Sequence, residues 1–257
     1  SMLSIILYYS LNMLDVGFVL LFRKPLYVYF YLKRKKLTPS QRKILHQKFK
    51  FYRILPSKYK RFFEHRMVSF IAKKDFIGRE DFIITDEVKV LISATAVMLT
   101  FGQRNYSMSI VKKIIIYPDV FYSNTNKNLH KGEFNLRLKA LVFSWKDFKE
   151  GYDIENDNLN LGVHEFAHAI HFNSITNRDV SSLIFVDNYN ELLERLSNQR
   201  LISKIQSTEY FRAYAFTNNL ELIAVFIEYF IESPQELRNM YPEIYFKIKH
   251  MLNFNFN

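Results

Sequence analysis

His164-Glu165-Phe166-Ala167-His168 is the stretch from which the rest of this 257-residue chain is best read. On a helix, residues four apart lie on one face, so His164 and His168 can offer ring nitrogens to one metal ion while Glu165 sits beside them. Neutral imidazoles suit Zn²⁺ at about 2.0–2.1 Å, and a reactive zinc site needs a third protein ligand and an open position for water. A bound zinc lowers the pKa of that water to about 7, and a neighbouring carboxylate takes its proton. Glu165 is the only acid in the motif placed for that work. The flanks, Asn158-Leu159-Asn160-Leu161-Gly162-Val163 before and Ala169-Ile170 after, are those of a buried helix. A solvated helix carrying two incidental histidines would be more charged.

The chain has no cysteine, which removes disulfides, thiolate nucleophiles and thiolate metal ligands together. A third ligand must then be His, Asp or Glu, and a glutamate on a later helix facing the two histidines is expected. Glu221 lies in Leu220-Glu221-Leu222-Ile223-Ala224-Val225-Phe226-Ile227-Glu228-Tyr229-Phe230, where an acid within an apolar run needs a partner to be buried. Glu228, seven residues on and on the same face, is placed to orient a ligating histidine from behind.

Apolar residues make up 49% of the chain, enough to bury a core, and there are 25 Phe and 17 Tyr against six Gly and six Pro. Such a chain folds. The net charge of +11 is uneven: residues 1 to 80 hold 18 Lys/Arg and 4 Asp/Glu, and the rest hold 18 against 21. A basic amino-terminal third beside a nearly neutral body suits an anionic partner, membrane or nucleic acid.

Ser1 precedes what reads as the native start and is set aside. Residues 3 to 22 are apolar apart from Ser4, Ser10, Asn12 and Asp15, about the length that spans a bilayer. Arg23-Lys24, a Tyr-rich stretch to Leu32 and Lys33-Arg34-Lys35-Lys36 follow, a pattern that would keep the downstream domain on the cytoplasmic side. Asp15 near the middle opposes insertion. Residues 1–36 are therefore read as a hydrophobic, basic extension, either membrane-associated through residues 3–36 or packed on the domain that follows. No small-residue cleavage site marks export, so the expected location is the cytoplasm, free or attached to the cytoplasmic face of the inner membrane.

Thr38-Pro39-Ser40-Gln41 reads as a capped helix start. Lys58 to Lys74 and Asp86 to Gly102 read as helices, Lys113 to Pro118 and Leu136 to Trp145 as containing strands, and Lys146 to Asn160 as a polar loop. Interleaved Lys, Arg, Phe and Tyr over residues 33 to 80 could contact nucleic acid, but a solvated amphipathic face explains them better.

His164-Glu165-Phe166-Ala167-His168, then Ala213-Tyr214-Ala215 with Glu221 seven residues past Tyr214, then Ala224-Val225 and Glu228-Tyr229-Phe230, resemble the Mlc titration factor A family of zinc peptidases. Ile116-Tyr117-Pro118, Leu141-Val142-Phe143-Ser144-Trp145, Asn160-Leu161 and Tyr241-Pro242-Glu243-Ile244-Tyr245 match as well, over roughly residues 37 to 252. The resemblance implies a gluzincin-like fold related to the catalytic domain of lethal-factor toxins. It implies one Zn²⁺ held by His164, His168 and Glu221, with Glu165 as general base and Tyr214 stabilising the oxyanion. Composition alone would not pick Tyr214 from 17 tyrosines. His171 departs from the family, standing where many relatives carry Asp; a supporting place at the pocket edge is expected for it rather than ligation.

The expectation is an α+β zincin with residues 37–257 as one catalytic domain: a small mixed sheet, a metal helix and a glutamate helix enclosing a cleft. The expected activity is zinc-dependent cleavage of a peptide or protein substrate, paired along a sheet edge at the strand ending at Trp145. The alternative is a zincin scaffold acting by protein contact, since the resembling family takes its name from sequestering a transcriptional repressor.

Overall fold

The computed structural model describes residues 2–123, 127–154 and 157–256. In chain order the elements are α1 (Met2–Phe22), α2 (Pro39–Lys48), α3 (Lys50–Ile54), α4 (Ser57–Lys73), β1 (Asp75–Gly78), α5 (Asp86–Leu99), β2 (Lys113–Tyr117), β3 (Phe121–Ser123), β4 (Asn128–His130), β5 (Gly132–Asn135) and β6 (Ala140–Ser144). Then follow α6 (Trp145–Asp153), α7 (Leu161–Thr176), α8 (Val180–Leu196), α9 (Gln199–Ser207), a 3-10 turn (Ala213–Thr217), α10 (Asn219–Glu232), α11 (Pro234–Met240) and α12 (Pro242–Met251). The expected α+β architecture is borne out: a small mixed sheet lies among helices.

The sheet runs β1-β2-β6-β5, with β1, β2 and β6 parallel and β5 antiparallel to β6. All five residues of β6 are buried, as expected of a strand paired on both sides. That corrects the expected substrate edge. The strand ending at Trp145 has its hydrogen-bonding groups taken by β2 and β5, and β5 is the edge beside α7.

α7 is a core helix, because Val163, Phe166, Ala169 and Ile170 pack inward. Phe166 meets Phe143 of β6 at 5.8 Å and Phe70 of α4 at 6.3 Å between ring centroids. The approach to α6 is close: a Cβ on Gly162 would stand 2.6 Å from Phe148 Cε2. Segment 146–160 is not simply a loop, since α6 occupies its first half; Glu155 and Asn156 lie outside the described residues. Ser144 accepts the Asp147 N–H as an N-cap, and Trp145, Phe148 and Tyr152 stack in sequence at 5.7 and 5.5 Å. These aromatic positions three and four apart make the helix despite the charged residues between them.

The capping box at α2 forms as expected, with Thr38 accepting from Gln41 N–H and the Gln41 side chain returning to the Thr38 N–H. Residues 28–31 are fastened to the body by Arg66, which is fully buried. Its guanidinium donates to the carbonyls of Val28, Thr100 and Phe101 and to the Tyr31 hydroxyl. In α1, Asp15 is buried in a bidentate ion pair with Arg104, and Val19 packs on Val180 and Ile184 of α8. Ser1 and the Asn12 side chain lie outside the described residues. Among those described, no helix is long and apolar enough to cross a membrane.

Candidate metal centre

α7 starts at Asn160, whose side chain accepts the Val163 N–H. One turn in, His164 and His168 project from the same face with ring centroids 4.7 Å apart. α10 starts at Asn218, whose side chain accepts the N–H groups of Leu220 and Glu221. That cap sets Glu221 in the first turn, opposite the histidines. One donor atom from each of His164, His168 and Glu221 lies within 4.8 Å of the others.

These donors suit a tetrahedral cation. His164 Nε2 is 3.1 Å from His168 Nε2 and 2.9 Å from Glu221 Oε2, and His168 Nε2 is 3.5 Å from Glu221 Oε1. Bonds of 2.0–2.1 Å to a tetrahedral zinc space its ligands about 3.3 Å apart. Two ring nitrogens facing each other share at most one proton, and Glu221 Oε2 is buried without an aligned hydrogen bond. The lone pairs converge and protons are short, a cradle for a divalent ion. Imidazole nitrogen with carboxylate oxygen is also a zinc donor set.

Behind His164 lies Glu228, 1% exposed. Its Oε1 is 2.7 Å from His164 Nδ1, so the Nδ1–H donates backward and leaves Nε2 for the metal. Glu228 Oε2 accepts the Asn160 N–H at 3.0 Å. Arg212 donates to both Glu228 oxygens, at 2.5 and 3.2 Å, and to the Asn158 carbonyl at 2.6 Å. The side-chain amide of Asn160 donates to the Gly151 carbonyl and to Glu232 Oε1. Asn160 thus ties the first turn of α7 to α6 and α10.

Charge follows from this crowding. Burial opposes protonation of His164, but the Glu221 and Glu228 carboxylates beside it prevail and push its pKa up to about 10. Burial likewise opposes ionisation of Glu221, yet the two histidines hold its carboxyl well below the usual range. A site that holds positive charge this firmly will accept a divalent cation in its place. Glu165 is 7% exposed; burial, reinforced by Glu221, raises its pKa, while the histidines and a backbone hydrogen bond from Phe134 of β5 oppose the rise. Tyr214, in the 3-10 turn, is 52% exposed, with its ring 6.3 Å from that of His164. Partial burial and then the Glu221 carboxylate push its phenol up to about 12, so it carries its proton at neutral pH.

His171 stands apart from the three donors. Its ring lies 4.5 Å from that of Tyr189, its Nδ1 is buried without a hydrogen bond among the described residues, and burial lowers its pKa to about 4. It hydrogen-bonds no member of the donor group there.

Three positioning roles escaped the sequence reading: those of Arg212, of Asn160 as helix cap and tie, and of Gly132. Arg212 sits two residues before Tyr214 in a stretch with no motif of its own, and only the fold brings it to Glu228. Gly132 is the first residue of β5, where an added Cβ would come within 2.8 Å of Glu165 Cγ and 2.9 Å of its Oε1. Gly132→Ala is accordingly expected to displace the Leu161 and Glu165 side chains with metal content unchanged, and a hydrolysis that ran through Glu165 would fall about 10- to 100-fold, since small misplacements cost rates of that order. Metal analysis beside single-turnover kinetics checks this.

A family of proteins described as glucose-regulated metallo-peptidase M90 matches residues 24–252, beginning inside the stretch set apart above as an extension. An uncharacterized protein of Synechocystis sp. is 28% identical over 236 residues, which cover 83% of each chain. Mlc titration factor A of Yersinia pestis is 22% identical over 205 residues, 71% of this chain and 74% of that one. Its counterpart in Yersinia pseudotuberculosis matches to the same extent. With the donor group of His164, His168 and Glu221 lying inside a match of that length, the chain belongs to the glucose-regulated metallo-peptidase M90 family.

Proposed function

We propose that this chain is a zinc-dependent peptidase holding one zinc through His164, His168 and Glu221. The observation that supports the reading is the convergence of those three donors beside a buried Glu165 on the same helix. Zinc, when bound, supplies a polarised water and a Lewis acid for the scissile carbonyl. Glu165 accepts the proton as the water oxygen bonds to the carbonyl carbon, and returns it to the amide nitrogen as the C–N bond breaks. Tyr214 donates its phenolic hydrogen to the oxygen on which negative charge develops. Glu228, braced by Arg212 and the Asn160 N–H, keeps His164 in the tautomer that presents Nε2.

An extended peptide would pair along β5, an edge strand of the sheet, whose first residue, Gly132, leaves the room that Glu165 occupies. The test is zinc content and cleavage of a fluorogenic peptide library by wild type, His164→Ala and Glu221→Ala. One zinc per wild-type chain, lost in both variants together with cleavage, is the expected result. Full zinc occupancy with no cleavage by wild type would move the function to protein contact. That second reading is carried by a relative whose name, Mlc titration factor A, describes titration of Mlc. It expects a Glu165→Gln protein with intact zinc to rescue a deletion phenotype fully.

A further inference from the structure

We propose that α1 and the segment after it, residues 13–36, form a surface that docks onto an anionic lipid bilayer, lying on it without crossing. The polarity of α1 is reversed relative to an ordinary surface helix. Its one acid, Asp15, is 5% exposed and turned inward to Arg104, and Val19 packs inward on α8. The stripe that faces away from the body is apolar apart from Ser10, whose hydroxyl is turned back onto the Ile6 carbonyl. Ile6, Met13 and Leu20 recur at a spacing of seven, with Leu14 and Leu21 beside them, and these five side chains are 55 to 79% exposed.

Phe22 ends the helix exposed, and beyond the exposed Arg23 and Lys24 come Leu26, Phe30 and Leu32, exposed as well, the last 90%. Lys33-Arg34-Lys35-Lys36 follows directly, all four exposed. Isolated exposed leucines need no explanation, but a contiguous apolar stripe marks an interaction surface.

Charge selects the occupant. Between Asp15 and Glu64 the chain carries 14 Lys/Arg and no Asp or Glu. A second copy would bring the same positive charge to the contact, and like-charge juxtaposition opposes it. An anionic bilayer satisfies both halves: apolar side chains enter at the headgroup–acyl boundary while the lysines stay at phosphate level. Asp15 paired with Arg104 and Val19 packed on Val180 and Ile184 hold one side of α1 against the body, and a helix held that way lies along the surface. The proposal uses no residue of the metal centre and stands or falls apart from the peptidase reading.

The experiment is co-sedimentation of the full chain with phosphatidylcholine vesicles and with vesicles that also contain phosphatidylglycerol. Binding to the anionic vesicles is expected, at least about tenfold tighter than to phosphatidylcholine alone and weakened by salt. Leu20→Glu/Leu21→Glu and Lys35→Glu/Lys36→Glu are each expected to lower it at least about tenfold. All four positions are exposed, so circular dichroism and zinc content should match wild type. Equal affinity for both vesicle types, or binding unchanged in the leucine variant, would overturn the proposal. So would absence of vesicle binding accompanied by concentration-dependent dimerisation that Leu20→Glu/Leu21→Glu abolishes, which would make the occupant a second copy.

Discussion

On the proposed peptidase reading, Glu165→Gln is expected to lower kcat/KM for peptide cleavage by about 10²–10⁴-fold while zinc stays at one per chain. The amide keeps the volume of the carboxylate in the space that Gly132 leaves for it, and it adds no charge to a site only 7% exposed. What it removes is the carboxylate that the proposed hydrolysis uses as its proton acceptor. None of the three donors changes, so His164, His168 and Glu221 still converge. Titrating the metal and measuring turnover on the same sample separates the outcomes. Retained turnover would eliminate Glu165 as the base, and joint loss of zinc and turnover would give it a structural role at the cradle.

The second large effect is expected from Glu228→Gln, which touches neither substrate nor metal. Glu228 bears against three groups at once, accepting from His164 Nδ1, the Asn160 N–H and the Arg212 guanidinium. The neutral amide leaves Arg212 without its counter-charge beneath the site. Breaking a buried pair from one side costs about 3–5 kcal/mol, and with Arg212 a quarter exposed the lower end is expected, about 3 kcal/mol. The amide has one acceptor oxygen where the carboxylate has two, so its NH2 must face either the His164 Nδ1–H or the Asn160 N–H; the conflict loosens the His164 ring and is expected to weaken zinc binding about 10- to 100-fold. Denaturant unfolding of the zinc-free protein measures the first effect and competition with a chelator the second. A variant with wild-type zinc affinity would show that helix packing alone orients His164.

The donor set was legible because its spacing is a property of helices: four residues separate the two histidines, and an acid inside the apolar run of α10 has few reasons to be there. Tyr214 was legible only through family resemblance, since nothing in its local sequence distinguishes it from 16 other tyrosines. α6 was hidden by its charged residues, although Ser144 and Asp147 carry the cap and the aromatic positions the helical period. Strand order across the sheet cannot be read locally, and that is why a substrate edge was expected at β6 when β6 is interior and the edges are β1 and β5.

What the sequence determined by itself was the chemistry available: two imidazoles one turn apart, a neighbouring carboxylate, no thiols, and a basic, apolar amino-terminal third. What only the tertiary structure decided was which groups face each other. Arg212 reaches Glu228 across 16 residues, Gly132 makes room for Glu165 from another element, and Asp15 turns inward to Arg104 while leucines of the same helix turn out. Helical spacing is local geometry, set by a 3.6-residue turn wherever a helix forms. The pairing of distant side chains depends on how helices and sheet pack, and that packing is settled by the whole buried core at once.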